Sequence, residues 1–158
     1  MLACAAAVAA ADVTVKCSVD AASLAASGCS GTCVTAPPSP AKGANFTITV
    51  NGNCPADVTT ATYDATGTFA GIPVLKVLGN PGCGDTDFPV GGALNLGHMY
   101  IGGVACPVKG GAALVLDNKA FISKLAPPGT LKSSLTTYDQ DKKPLFKILL
   151  DVTSSLSE

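Results

Sequence analysis

Apolar and polar residues alternate along several short stretches of this chain. Between residues 12 and 19, the apolar positions Val13, Val15, Cys17 and Val19 are each separated by one polar residue. The same period of two recurs between residues 46 and 50, where Phe, Ile and Val alternate with threonines. Successive side chains of a strand point to opposite faces, so this period predicts half-buried β-strands.

Turn residues separate these stretches. Gly and Asn occupy residues 51–53, and residues 139–144 form a polar turn. A helical turn is expected at residues 21–26 and a tight loop at 29–33, while the prolines of residues 37–40 exclude a helix or a central strand. The pattern predicts an all-β fold, a β-sandwich of about seven strands in two sheets within one domain, with strands at residues 12–19, 46–50, 58–69, 72–78, 112–116, 131–138 and 145–152.

The predicted mouth of the sandwich lies in residues 71–108, and the rest of the chain is interpreted around this segment. An apolar run at residues 72–78 leads into a Gly/Pro turn and Cys83, and a Gly-rich excursion returns at Cys106. We expect two strand ends joined by a disulfide at the mouth of the sandwich.

The composition narrows the class of protein. The 158 residues are 47% hydrophobic and 13% charged, with mean hydropathy +0.41. No apolar run reaches the roughly 18 residues that a membrane-spanning helix needs, so an unusually apolar interior is favoured. The net charge is −1 and arginine is absent from the sequence, which argues against nucleic acid as a partner.

The first eleven residues resemble the apolar core and small-residue cleavage site of a secretory signal, although a basic leader is missing. An Ala-rich helix of the mature protein is the alternative. Cleavage before Asp12 would remove Cys4 and leave six cysteines, which indicates three disulfides in an oxidising compartment. The sequon Asn45-Phe46-Thr47 makes Asn45 a candidate glycosylation site.

Catalytic and metal-binding patterns are weak. His98 is the single histidine and has no nucleophile near it in the sequence. The Cys29-x-x-x-Cys33 spacing lacks the second pair of ligands that a zinc site needs, and the acidic residues at 85–87 and 139–141 lack the features of an EF-hand. We expect neither an enzyme, nor a metal site, nor a cofactor.

A series of motifs resembles the ML domain family of secreted lipid-recognition proteins, which includes sterol carriers and mite allergens. The likeness covers nearly all of residues 12–153, in the family's order. Its marks are Cys29-x-x-x-Cys33, Lys42-Gly43, Gly71-Ile72-Pro73-Val74, Pro81-Gly82-Cys83, Cys106-Pro107-Val108, Asn118-Lys119 and the run from Asp139 to Phe146.

The resemblance implies an immunoglobulin-like sandwich whose two sheets hold one lipid in an apolar cavity, without catalysis. The alternative for each pocket position is a residue that simply fills the core. By matched position, the lipid-binding residues are Phe46, Ile48, Val74, Phe121, Ile122, Ala126, Pro127, Leu135, Phe146 and Ile148.

Two departures from the family pattern affect the site. Lys76 and Ala126 stand where sterol-binding members have aromatic residues. Lys76 is therefore a candidate contact for the head group of an anionic phospholipid, or a lysine extending to solvent. The resemblance implies the pairs Cys29–Cys33 and Cys83–Cys106. The family's last-strand cysteine is replaced by Lys147, so Cys17 is expected to pair with the remaining Cys54.

The excursion at residues 84–105 is longer than the family's loop and too apolar for a free loop. It is interpreted as an added hairpin that covers the pocket, or as a docking surface for a protein or membrane. The expected function is a monomeric carrier of one sterol or phospholipid in an extracellular, lysosomal or vacuolar lumen, with a membrane surface or membrane protein as acceptor. The alternatives are an interaction protein that docks through this insertion and an accessory that presents lipid to a hydrolase.

Overall fold

The computed structural model describes residues 13–155. The signal-like segment at residues 1–11 lies outside these described residues. The described chain forms one α-helix, α1 (Ala21–Ser27), a short 3₁₀-helix (Gly92–Leu94), and the strands β1 (Val13–Val19), β2 (Ser30–Ala36), β3 (Asn45–Asn53), β4 (Thr62–Phe69), β5 (Ile72–Pro81), β6 (Thr86–Val90), β7 (Gly97–Ile101), β8 (Ala113–Ile122), β9 (Gly129–Tyr138) and β10 (Pro144–Ser154).

The strands form two antiparallel five-stranded sheets. Sheet A has the order β1-β10-β9-β4-β5, and sheet B has the order β2-β3-β8-β7-β6. Each sheet turns alternate residues toward the other, as the burial of every second residue along β8 shows. The all-β sandwich predicted from the sequence is confirmed, with ten strands in residues 13–155 where about seven were expected.

Three strands were missed by the sequence analysis. Strand β2 occupies the segment interpreted as a tight loop around Cys29 and Cys33, and it pairs along its length with β3. Strands β6 and β7 form a hairpin inside the excursion, which continues sheet B because β7 pairs with β8. The hairpin that was one interpretation of this excursion is present and is part of a sheet layer, although its strands were not placed by the sequence pattern; a role in covering the pocket stays a prediction.

The core contains two clusters of buried side chains. One cluster includes Val13, Phe46 and Leu131 and fills the end of the sandwich where β1 begins. The other includes Val50, Leu114 and Phe146 and fills the opposite end. Most apolar residues of the hairpin segment belong to this core, and the exception is the exposed Leu94; the buried ones are Phe88, Val90, Leu96, Met99, Ile101 and Val104.

Helix α1 confirms the predicted helical turn. Its first turn is capped by Asp20, whose Oδ2 accepts a hydrogen bond from the Ser23 amide at 3.0 Å. It ends at Gly28, where φ is +74°, a conformation that glycine adopts without strain. The Ser23 hydroxyl accepts a hydrogen bond from the Lys147 amide at 3.0 Å, which fixes the helix against β10.

The three disulfides are Cys17–Cys33, Cys29–Cys54 and Cys83–Cys106. The expected count and the third pair are confirmed, whereas the pairs Cys17–Cys54 and Cys29–Cys33 are wrong. Cys29 immediately precedes β2 and Cys33 lies on it. Four residues of extended strand span about 13 Å, well beyond the roughly 7 Å between Cα atoms that a disulfide can bridge.

Candidate functional site

Three small voids lie in a row between the sheets, and we call this row the seam. Their volumes are about 20, 30 and 10 Å³, in order from the end of the sandwich where β1 begins. Each is bordered by residues of both sheets and has a mainly apolar lining. The seam follows the interface along which the sheets would separate.

Few side chains divide one void from the next. Met99 and Leu150 border both the first and the central void. Ile101, Asn118 and Leu135 border both the central void and the third. Asn118 is a buried polar residue among them, and its Oδ1 accepts a hydrogen bond from the Gly102 amide at 3.2 Å. Rotation of Met99 and its neighbours would merge the voids, since methionine is the most adaptable apolar side chain.

The seam is much smaller than a lipid pocket. Small-molecule pockets measure about 300–1,000 Å³, whereas the largest void between the sheets is about 30 Å³. The sequence analysis expected an apolar cavity at this place, and the structure has the apolar lining with the sheets packed together. A lipid could be held here only after the sheets had moved apart.

The two long sides of the sandwich are held together differently. On one side, β1 and β2 are joined across the sheets by Cys17–Cys33. On the other side, residues 82–85 connect β5 to β6 at one end, and at the other end the link is a backbone hydrogen bond of 3.2 Å from the amide of Gly91, just after β6, to the Val74 carbonyl. A covalent bond resists separation far more than one hydrogen bond with a net value of about 1 kcal/mol. The β5–β6 side is therefore the side that opens more readily.

The two ends also differ. The disulfides Cys29–Cys54 and Cys83–Cys106 lie at one end, which we call the closed end. The sequence analysis placed the mouth at Cys83–Cys106, but this disulfide lies beside the smallest void and far from most predicted pocket residues. None of the three disulfides of residues 13–155 lies at the opposite end.

That opposite end, which we call the open end, combines exposed apolar and cationic side chains. Leu125 is 81% exposed, Ile72 57% and Leu94 41%, each in or beside a loop between strands. Lys42 and Lys124 lie in the neighbouring loops, and Lys42 Nζ donates a hydrogen bond to the Ala126 carbonyl at 3.2 Å. Exposed apolar side chains beside lysines are typical of surfaces that contact anionic membranes.

The predicted pocket residues are distributed along the seam. Six border its voids: Phe46, Ile48, Phe121, Ile122, Leu135 and Ile148. Val74 and Ala126 pack in the core cluster at the open end, and Phe146 lies in the cluster at the closed end. Pro127 is half-buried in the loop before β9. A role in lipid binding stays a prediction for all of them.

Two of the predicted side chains, those of Phe121 and Lys76, do not point into the seam. Phe121 and Ile122 are consecutive on β8, so only one of them can point inward, and the alternating burial of that strand assigns this position to Ile122. Lys76 is exposed and lies on the outer face of sheet A. The structure does not bring Lys76 to the seam, so head-group contact with a lipid held there has no support from its position.

Sequence reasoning missed several residues of the seam. Met99 and Ile101 lie in the hairpin, and Leu150, Ala65 and Ala120 lie in regular strands. The alternation of Met99 and Ile101 with His98 and Tyr100 was a usable signal, but the surrounding glycines concealed the strand. The alanines carry no signal of their own, because their place at the seam depends on the register of neighbouring strands.

Charged and polar groups fix the hairpin on its outer side. Asp85 accepts a hydrogen bond from Tyr100 and another, of 3.3 Å, from the Gly103 amide. These two bonds, the one from Tyr100 first, hold the pKa of the Asp85 carboxyl below its usual range. The same contact with Asp85, together with burial, raises the pKa of Tyr100.

The single histidine takes part in an exposed ion pair. His98 Nδ1 lies 2.5 Å from Asp87 Oδ1 across β6 and β7, and both side chains are more than half exposed. Within residues 13–155, no group of three or more His, Cys, Asp or Glu side chains is placed to hold a metal ion. In the same residues, no helix is long and apolar enough to cross a membrane.

Asn45 is exposed at the first residue of β3. Its position is compatible with a glycan, and glycosylation stays a prediction.

The sequence matches the ML domain profile over residues 4–153. The chain belongs to the ML domain family. No curated protein matches it. One similar solved structure is the Niemann-Pick type C2 protein from Japanese carpenter ant, with 14% sequence identity over 75% of this chain and 86% of that chain and a TM-score of 0.49. The β-sandwich described above is therefore the lipid-binding fold of the ML domain family.

Proposed function

We propose that this protein is a non-enzymatic lipid carrier that takes one sterol or phospholipid into the seam between its sheets. The observation that carries the proposal is the row of three apolar voids, separated only by side chains such as Met99 and Leu135. Burying apolar ligand surface there gains about 25 cal/mol per Å². Membership of the ML domain family supports the same ligand class.

The lipid enters by separation of the sheets at the β5–β6 side. The Cys17–Cys33 disulfide acts as the hinge on the opposite side, since it keeps the two edges together while the far edges move. The hydrogen bond between Gly91 and Val74 lies at the open-end part of the β5–β6 side and breaks first. The opening is therefore widest at the open end.

The open end faces the membrane during transfer. Leu94 and Leu125 enter the boundary between head groups and acyl chains, while Lys42 and Lys124 contact anionic head groups. Each lysine near an anionic surface contributes about 1 kcal/mol to such binding. This orientation directs the widest part of the opening toward the donor or acceptor bilayer.

The compartment is extracellular or the lumen of a lysosome or vacuole. Three disulfides within residues 13–155 support an oxidising environment. The protein acts as a monomer and needs no cofactor. Docking through the insertion, the alternative function, has less support because most of the apolar residues that suggested it are buried in the core, whereas Leu94 is exposed.

The test is lipid uptake with a variant that fills the seam. We expect purified protein to contain lipid detectable by mass spectrometry and to bind a fluorescent sterol or phospholipid with one-to-one stoichiometry. Ile122→Trp places a larger side chain beside the first void and should reduce affinity about tenfold or more, at a stability cost of about 1–3 kcal/mol. Val115→Trp is the matched control, because Val115 is on the same strand and 47% exposed.

Two results would contradict the proposal. One is the absence of both co-purified lipid and lipid uptake in a folded wild-type protein. The other is equal uptake by Ile122→Trp and wild type with unchanged stoichiometry, which would place the ligand away from the seam.

A further inference from the structure

The outer face of sheet A contains a trough with a volume of about 790 Å³. All five strands of the sheet contribute to it. Most of its lining lies on the face of sheet A that points away from the seam, although Leu75, Ser133 and Ser134 border both the trough and the central void. The volume falls within the range of about 300–1,000 Å³ that is usual for small-molecule sites.

The trough carries an excess of positive charge. Lys16, Lys76 and Lys132 line it, and Asp151 is the single carboxylate among its lining residues. Asp151 lies in register between Lys16 on β1 and Lys132 on β9, whereas Lys76 lies in the next cross-strand row on β5. Within residues 13–155, none of these four residues forms an ion pair within 4.0 Å. The lysines are therefore available for an anionic ligand.

Hydroxyl groups cover the surface between the lysines. The row that contains Lys76 continues through Thr66 and Ser134, whose hydroxyl oxygens are 3.2 Å apart. Each hydroxyl can donate and accept hydrogen bonds. Leu149 is next in that row and 38% exposed, so it offers an apolar contact beside the polar groups.

The shape of the trough selects among anionic partners. A planar bilayer touches only the rim of a concave surface, so lysines and hydroxyls in the trough favour a ligand that fits inside it. The combination of cations, hydroxyls and a small apolar surface matches a sugar with charged substituents, which presents anionic groups, hydroxyls and the apolar face of a ring. We propose that the outer trough of sheet A binds an anionic oligosaccharide bearing sulfate or phosphate groups.

The experiment measures binding of a heparin-derived hexasaccharide by calorimetry at low ionic strength. The same hexasaccharide after desulfation distinguishes charge recognition from sugar recognition, and inositol hexakisphosphate tests whether phosphate alone suffices. We expect binding of the sulfated sugar that weakens with added salt, because the Debye length falls from about 30 Å at 0.01 M to about 10 Å at 0.1 M. Sulfated sugar bound in preference to inositol hexakisphosphate assigns the site to sulfated glycans, and the reverse assigns it to phosphorylated ones.

Variants distinguish binding in the trough from binding that depends only on the overall surface charge. Lys76→Gln with Lys132→Gln should reduce affinity about tenfold or more, since the double variant removes two charge-assisted hydrogen bonds to the ligand. Asp151→Asn should raise affinity, because it removes the carboxylate beside Lys16 and Lys132. Lys119→Gln on β8 of sheet B is the matched control for a lost charge, and its affinity should stay within about twofold.

Three outcomes would overturn the proposal. The first is that no anionic sugar binds. The second is that Lys119→Gln loses as much affinity as the double variant. The third is that no sugar binds while phosphatidylserine vesicles bind in a way that depends on Lys76 and Lys132. Lipid uptake by the same variants should match that of wild type, so a failure of this proposal is distinguishable from a failure of the lipid-carrier function.

Discussion

Met99→Ala tests whether the seam can expand to hold a lipid. Met99 is 8% exposed and borders both the first and the central void, so its truncation joins two spaces of about 20 and 30 Å³ and adds the volume of the removed side-chain atoms. Truncation of a buried Met to Ala costs about 2–5 kcal/mol of folding stability. A domain with about 5–15 kcal/mol of stability remains folded after this loss.

We expect Met99→Ala to lower the stability of the lipid-free protein and to raise its affinity for lipid. The melting temperature of the lipid-free variant should fall by about 4–20 °C, since 1 kcal/mol corresponds to about 2–4 °C in a protein of this size. Its affinity for sterol or phospholipid should rise, because the ligand refills the space that truncation left. A saturating ligand at 1,000 times its Kd adds about 4 kcal/mol of stability, so lipid should restore more of the melting temperature in the variant than in wild type.

Leu114→Ala is the matched control for this experiment. Leu114 is 2% exposed, lies in the core cluster at the closed end and borders none of the three voids. Thermal unfolding with and without lipid, together with a fluorescent-lipid titration, measures both variants. A Met99→Ala protein that loses stability without gaining lipid affinity, or an equal gain in Leu114→Ala, would refute the reasoning.

Two further predictions concern the hairpin and the open end. Because the pKa of Asp85 is below its usual value of 3.8, its ionised form stabilises the folded state above that pH, and this contribution is lost as pH falls through the lowered pKa. Protection of the Gly103 amide against hydrogen exchange, measured relative to the intrinsic exchange rate at each pH, should therefore fall in acid, and Asp85→Asn should remove this pH dependence; an unchanged acid response in the variant would count against the assignment. Leu125→Asp should slow lipid transfer to anionic vesicles several-fold while equilibrium lipid binding in solution stays within about twofold, because it places a negative charge at the membrane-facing end. Leu78→Asp on β5, which is 57% exposed and nearer the closed end, is the control, and equal slowing in both variants would contradict the proposed orientation.

The sequence predicted the strands whose two faces differ in polarity. Strands β3 and β10 were found because their buried positions, such as Phe46 and Ile148, alternate with polar residues. Strand β2 was missed because it is an edge strand of small and polar residues, none of them fully buried. Its place in the sheet comes from pairing with β3, which is a long-range contact that a local pattern does not record.

The disulfide pairing and the composition of the seam depend on register between distant strands. Cys17 and Cys33 meet because β1 and β2 form facing edges of different sheets, and the sequence contains no local sign of this. The same holds for Ala65 and Ala120, which border the voids only through the positions of their neighbours. Large apolar residues such as Ile122 and Leu135 were found because their burial is favourable in any strand register that keeps them on the core-facing side of the sheet.

The closed seam is what packing energetics favours for a carrier of this kind. Leaving an apolar cavity unfilled costs about 24 cal/mol per Å³, so a permanent cavity of 300 Å³ would cost about 7 kcal/mol, comparable to the whole stability of a domain. Sheets that pack together with voids of 10–30 Å³ avoid this cost. A bound lipid replaces the lost contacts when the sheets part. The three disulfides, one at a long side and two at the closed end, leave the β5–β6 side near the open end as the part of the sandwich free to move.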